Sequence, residues 1–333
     1  MNTFKNIFFT IICTTIFMST SEGTTMSILK KQPVFTVKIN TYGVKYILKL
    51  NGVTLLRETS SESQLTTTLP VNHWMKSGEN IMEVQIRPPQ KGQEFNPNAK
   101  VEYELLVNEN STPDKIYTIS NILISGASAN NHKTDVSSAS GKYDSLNNFI
   151  PSKEGDVSIS DISVKEIAKY KGGLTIHRNL NIPSSLPLWR FFNSDDVPNL
   201  EAMSDKDYYN ELDILLKEYS KVQKAIENNE ISSVIPLFNE RNSETDTAFY
   251  LNKGETEQGI RESLETTAND SGMEILPLSR ENVSFTIEQN RKLARLSRKG
   301  VKAAIALNYK DGSGSQRYQM FFRIQDGKWI LTR

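Results

Sequence analysis

The chain has 333 residues, long enough for two hydrophobic cores, and its 39 lysines and arginines balance its 39 aspartates and glutamates. That balance argues against a dedicated nucleic-acid binder, so no nucleic-acid partner is expected. One cysteine, Cys13, leaves no basis for a disulfide framework or a cysteine-ligated metal, and neither a metal nor a cofactor is expected.

The first element is a targeting signal. Lys5 precedes a mostly apolar run over 7–18, and Ser19-Thr20-Ser21 supplies the small residues of a cleavage site. Residues 1–21 therefore read as a secretory signal peptide, too short in its apolar part to span a membrane comfortably. Cleavage would remove Lys5 and Cys13, leaving 38 basic against 39 acidic residues and no thiol. The expected mature chain is periplasmic or secreted and has no transmembrane segment. Thr10-Ile11-Ile12 before Cys13 does not match the small-residue box of a lipidated cysteine.

Residues 28–192 read as a β-rich first domain. Strands are predicted at 34–39 and 44–50, with Asn51-Gly52 turning the second into 53–57. A Ser/Thr-rich stretch over 59–68 follows. A short helical turn at His73-Trp74-Met75-Lys76 ends in Gly78, and Ile81 to Ile86 then alternate until Arg87-Pro88-Pro89 stops the strand. Asn51, Gly52, Trp74, Lys76, Gly78, Glu79 and Asn80 together resemble jelly-roll β-sandwiches of the galactose-binding type, with Met75 where that family has leucine. The resemblance covers roughly 40 residues. It implies an all-β sandwich and, more weakly, a carbohydrate or other ligand.

Further strands are predicted at 100–107, 116–124, 157–164 and 173–180. Residues 126–148 are polar and aperiodic and read as a surface loop carrying His132 and Asp135. His73 and His177 lack HxH or HxxxH partners, so they read as hydrogen-bonded structural residues. Pro183, Pro187 and Pro198 bracket the aromatic cluster Leu188-Trp189-Arg190-Phe191-Phe192. Trp189 and Phe191 are candidate ligand-binding residues if exposed, as a sugar-stacking platform or partner hot spot; otherwise they are packed at the end of the sandwich. Residues 193–203 are read as the linker, with Asp195 and Asp196 a turn-entry pair.

The second domain is predicted over 204–333. Ser204 caps a helix, with Asp207 three residues on, and Leu212, Leu215, Leu216, Tyr219, Val222 and Ile226 recur at helical spacing until Asn228-Asn229. A shorter helix is expected over 231–239, disturbed by Pro236, and a third over 256–268. Strands follow at 273–278 and 283–287. Arg291, Lys292, Arg295, Arg298 and Lys299 form the densest basic run. Arg291, Arg295 and Arg298 are its candidate anion-binding residues, while the default reading of the run is a solvated segment joining two strands. The chain then reads as a three-stranded meander over 301–333, with a turn at Asp311-Gly312-Ser313-Gly314, one continuous strand over 317–324, and a tight hairpin at Asp326-Gly327.

The long first helix, Asn228-Asn229-Glu230, and the run Phe322 to Ile330 resemble the α+β cone of the nuclear transport factor two-like family. The resemblance implies a cone that is either an open pocket or a filled protein-binding module. An enzyme of this kind would use a carboxylate with a tyrosine donor, here Asp246 with Tyr250, Tyr309 or Tyr318. Those three tyrosines are also the candidate pocket residues for a small ligand. The expected fold is thus a two-domain chain, an all-β jelly-roll-like sandwich followed by an α+β cone domain. The leading functional expectation is an exported, non-catalytic binding protein whose partner is another protein, an immunity or inhibitor protein of the bacterial envelope being one form. A carbohydrate- or ligand-binding module ranks second, and a hydrolase or isomerase in the cone third.

Overall fold

The computed structural model describes residues 32–132, 135–138, 141–143, 149–151, 157–298 and 303–333. The signal-peptide reading of 1–21, and the part of the meander at 301–302, lie outside them. The described chain is predominantly β, with several antiparallel sheets.

Two of these sheets face one another across a shared core, an arrangement compatible with a β-sandwich. The strands are β1 (Pro33–Tyr42), β2 (Lys45–Leu50), β3 (Val53–Glu58), β4 (Gln64–Pro70), β5 (Gly78–Arg87), β6 (Lys100–Glu109), β7 (Thr112–Ser125) and β8 (Asp135–Ser138). After β9 (Gly141–Tyr143) and β10 (Phe149–Pro151), which pair with each other, come β11 (Ser158–Ile159), β12 (Ser163–Glu166) and β13 (Leu174–Ile182). One sheet has the order β4-β1-β6-β7-β8; the other runs β11-β13-β5-β2-β3, with β12 also on β13. Alternation supplies the core: Phe35, Val37 and Ile39 of β1 face Met82, Val84 and Ile86 of β5, all almost wholly buried. The Asn51-Gly52 turn takes the left-handed backbone its residues favour, at φ 51° and 77°.

The residues behind the sandwich resemblance form a hydrogen-bonded knot. Asn51 Nδ2 donates to Trp74 O and to Asn80 Oδ1, each at 2.8 Å, and Ile81 N donates back to Asn51 Oδ1. Asn80 closes the turn by donating to Lys76 O and Gly78 O. Both asparagines are buried, so their amides must be satisfied internally, and these residue types at this spacing do that. The predicted loop over 126–148 is partly regular: Gly126–Asn130 is a short helix α1, and β8 pairs with β7. Gly126 is required there, since a Cβ would lie 1.8 Å from Asn96 O.

The C-terminal part begins with α2 (Asp205–Glu227), capped by Ser204 Oγ as expected. The predicted helix over 231–239 resolves into two 3-10 turns, Ile231–Ser233 and Ile235–Phe238, because Pro236 fits only at a helix start. A helix that sequence reading missed, α3 (Asn239–Ala248), follows, then α4 (Glu255–Asn269). Strands β14 (Met273–Ile275), β15 (Val283–Glu288), β16 (Leu293–Arg298), β17 (Ile305–Tyr309), β18 (Ser315–Tyr318), β19 (Phe322–Gln325) and β20 (Lys328–Leu331) complete the chain.

Two expectations are corrected here. The basic run is not a solvated connection: residues 293–298 form β16, with Leu293 to Leu296 buried. Nor is the meander one sheet. β18 pairs with β17 in the order β14-β17-β18, whereas β19 pairs in the order β15-β16-β19-β20. The expected continuous strand breaks at 319–321, where Phe321 turns into the sandwich core while Met320 and Phe322 stay in the second core. The Asp326-Gly327 hairpin holds, at φ 51° and 71°.

A second hydrophobic core packs Leu212, Leu215, Tyr219 and Val222 of α2 against Leu296, Ile305, Leu307 and Phe322. The expected linker is pinned to this part of the molecule. Asp195 N donates to Ile324 O, Val197 N to Arg291 O, and Ser194 Oγ lies 3.0 Å from Lys292 O as its donor.

A candidate aromatic binding face and a buried charged junction

Chemistry-bearing side chains gather in two places, one internal and one at the surface. The internal one lies where α3 and the last residues meet the Asn72–Trp74 turn. Asn72, wholly buried, accepts from Phe35 N and donates to Pro33 O and Ala248 O, tying both parts of the chain at once. Trp189 Nε1 donates to Asn72 O at 3.2 Å and Met75 O at 2.6 Å. Arg333 donates to His73 O and Glu244, and its guanidinium lies over Phe191, Trp74 and Trp189. Arg323 reaches Glu240 with two parallel hydrogen bonds of 2.7 Å. A second contact lies nearby: Glu288 accepts from Thr54 N and Oγ1 on one side and from Arg295 on the other, while Gln289 N donates to Gly52 O.

Burial sets the ionisation here. His73 is held well below the usual histidine range, first by desolvation and then by the positive charges of Arg333 and Arg241. Arg241 itself is pushed down to about 10 by burial and by Arg333. A neutral buried histidine makes unfolding easier in acid, because the unfolded chain takes up a proton that the folded one refuses. Stability should therefore fall as pH drops below about 6.5, by up to about 1.4 kcal/mol per pH unit. His73→Gln should remove that component, seen as a flatter dependence of urea midpoint on pH between about 6.5 and 5. Parallel slopes for the two proteins would discard the assignment.

The residues nominated from sequence are used for this internal work or are dispersed. Trp189 and Phe191 are 1% and 0% exposed, so the stacking platform is corrected to a packed junction. Tyr250 donates to Pro33 O, and burial pushes its hydroxyl up to about 12, so its proton stays on and is spent on that carbonyl. Tyr318 is buried beneath α4, its hydroxyl bonded with Thr267 Oγ1 at 2.6 Å. Tyr309 sits at the β14-β17-β18 end, its backbone closing the Gly314 turn. Asp246 accepts from Gly254 N and Thr256 N, which makes it the anchor of the α4 start rather than a partner of a tyrosine. Arg291 donates to Val197 O, Arg295 to Glu288, and Arg298 to Ala304 O and Leu276 O. Three arginines spent on separate internal acceptors do not form one anion site.

The surface gathering is aromatic, half-buried against the second core at Tyr208, Phe285 and Trp329 and exposed at Tyr209, and sequence reading missed it. Tyr208 and Tyr209 open α2 and pack edge to face at 5.4 Å; Tyr208 lies 6.3 Å from Phe285 of β15, and Phe285 lies 5.8 Å from Trp329 of β20. β15 and β20 are the outer strands of their sheet, so these rings meet because the sheet curls around α2. Arg280 stacks over Tyr209 at 5.2 Å and is itself held by Asp213. Tyr209 and Ile214 remain 44% and 50% exposed. The one legible signal was the Tyr208-Tyr209 doublet, which puts an aromatic ring on the polar side of an amphipathic helix. An open groove of about 530 Å³ between the ends of α2 and α4, lined by Asn229, Glu230 and Glu265 among others, is polar and distant in sequence from these rings.

No known family model, curated protein or solved structure matches this chain.

Proposed function

We propose that this is an exported, non-catalytic binding protein whose partner is another protein, engaged through the face formed by Tyr208, Tyr209, Phe285, Trp329 and Arg280. The aromatic row, half-buried at Tyr208, Phe285 and Trp329 and exposed at Tyr209, with its stacked, carboxylate-held arginine, carries this reading. Tyr, Trp and Arg dominate the energetics of protein interfaces because they bury large rigid surface with few rotamers to freeze. The concave side of the sheet behind it is filled: Tyr219 is wholly buried, donates to Met320 O and accepts from Leu296 N. A filled interior beside a half-buried aromatic face with exposed Tyr209 at its rim suits a docking module better than an enzyme pocket.

The jelly-roll-like sandwich over 28–192, the linker at 193–203 and the α+β cone over 204–333 belong to the same proposal. Facing antiparallel sheets support the first and the α2-wrapping strands the last. Export rests on the apolar run over 7–18. An immunity or inhibitor role in the bacterial envelope is one concrete form of the reading.

The test is a pull-down from an envelope fraction using the tagged chain beside a Tyr209→Ala/Trp329→Ala variant. Wild type is expected to retain a partner that the variant loses, with affinity reduced by roughly 30-fold or more if these rings are hot spots. Retention by both proteins would remove the face from the proposal. Saturable binding of a sugar with no protein recovered would replace the protein partner by the carbohydrate reading.

A further inference from the structure

We infer that β4 is a strand-pairing edge through which two copies of this chain join their sheets across a two-fold axis. β4 is the end strand of its sheet, with β1 on one side and no strand among the described residues on the other. Its ladder phase is fixed at both ends: Gly43 N donates to Ser63 O and Val71 N to Phe35 O. In an antiparallel pair the bonded residues alternate, so Leu65, Thr67 and Leu69 turn their backbone groups toward β1. Gln64, Thr66, Thr68 and Pro70 therefore aim theirs away from the sheet, and all four are exposed. Pro70 fits this phase, since a residue without an N–H belongs on the open side of an edge strand.

Edge strands are ordinarily blunted by charge or brevity. Every other sheet edge among the described residues follows that rule. β3 carries Arg57 and Glu58, and its Thr54 N is occupied by Glu288. β15 carries Glu288, β14 carries Glu274, and β8 begins with Asp135. β9, β10, β11, β12, β18 and β20 have four residues or fewer. β4 has seven residues, three consecutive threonines and no charge, and the uncharged stretch extends from Ser63 to Val71. Threonine is a strong strand former.

The occupant that fits is a second β4. Two copies meeting antiparallel oppose no like charges, which would otherwise disfavour a symmetric pair. Pro70 selects the register. A pairing centred on Thr67 would set Gln64 against Pro70 and lose a donor at each end. Centring on Thr66 pairs Gln64 with Thr68 and Thr66 with itself, and uses every outward N–H and C=O of those three residues. The added strand also covers Leu65 and Leu69, which are only half-buried on the core side. This interface is separate from the aromatic face and does not depend on it.

Because Cys13 is the only cysteine, the register can be tested by cross-linking. In a full chain with Cys13→Ser, Thr66→Cys should form a disulfide-linked dimer under mild oxidation, while Ile116→Cys, at another exposed site on β7, should not. Sedimentation should give a dimer mass for the unmodified chain and a monomer mass for Thr66→Lys. A monomer at all micromolar concentrations overturns the inference. So does a dimer that survives Thr66→Lys, or an Ile116→Cys chain that cross-links as fast as Thr66→Cys. Capture of another protein's strand by a monomeric chain also counts against it.

Discussion

Trp189→Ala is expected to lower unfolding free energy by about 3–5 kcal/mol, measured by urea denaturation followed by far-ultraviolet dichroism. The indole is 1% exposed and is among the largest wholly buried side chains. Its removal leaves a cavity between Asn72, Met75, Phe191 and Arg333, none of which can collapse freely. Asn72 is fixed by bonds to Pro33 O and Ala248 O, and Arg333 by Glu244. The substitution also strips Asn72 O and Met75 O of a donor. Trp189→Phe separates the two effects. It restores most of the apolar surface but not the Nε1 bonds, and should cost about 1–3 kcal/mol. A loss below about 1 kcal/mol for alanine would show that the junction repacks, contrary to the packing described.

Glu240→Ala should be comparably damaging, at about 3–5 kcal/mol, because it strands a buried arginine. The side chains of Arg323 and Glu240 are 4% and 8% exposed, and their bidentate geometry satisfies both. Breaking one side leaves the other charge without water or partner. Replacing both, as Glu240→Leu with Arg323→Met, should recover much of the loss, since buried pairs are often no better than apolar residues of the same volume. A double-mutant cycle gives the coupling; additive losses would mean that the pair acts through packing alone. The pH dependence has a defined sign. Burial is the largest single influence on the Glu240 carboxylate and opposes its charge, but the hydrogen bonds and charge of Arg323, joined by hydrogen bonds from Thr332 and Arg190, together outweigh it and hold the group below its ordinary value. The stability it contributes is therefore present above about pH 4.3 and is lost as pH falls through the lower folded value. In Glu240→Gln that acid-side loss should disappear.

Local signals in this sequence were read where the chemistry is local. Asn51-Gly52 and Asp326-Gly327 demanded turns with positive φ whatever surrounds them, and Ser204 capped its helix through Asp207 N. The 3.6-residue spacing of Leu212, Leu215, Tyr219 and Val222 marked the buried stripe of α2. Misreadings came where polar side chains are buried. In β16 the sequence Leu-Ala-Arg-Leu-Ser-Arg reads as polar, yet Arg295 is buried because Glu288 is there to receive it. α3 escaped notice because its core-facing residues include Asn242 and Asp246, polar side chains that no apolar periodicity reports.

Functional residues divide along the same line. That Trp189 and Phe191 pack at the end of the sandwich was one of the two readings their clustering allowed; which residues seal them was not legible. The reason is that their exposure depends on Arg333, distant in sequence, closing over them. The aromatic face was invisible because Tyr209, Arg280, Phe285 and Trp329 come from segments whose meeting requires the sheet to curl around α2.

By itself, the sequence determined the β-rich first part, the capped amphipathic helix and the two tight hairpins, because each follows from backbone preference or hydrophobic period within a few residues. Only the tertiary structure decided which side chains are spent internally and which remain to meet a partner. Burial, ion pairing and the break between Tyr318 and Phe322 all depend on contacts between residues far apart in the chain, and no local pattern encodes them.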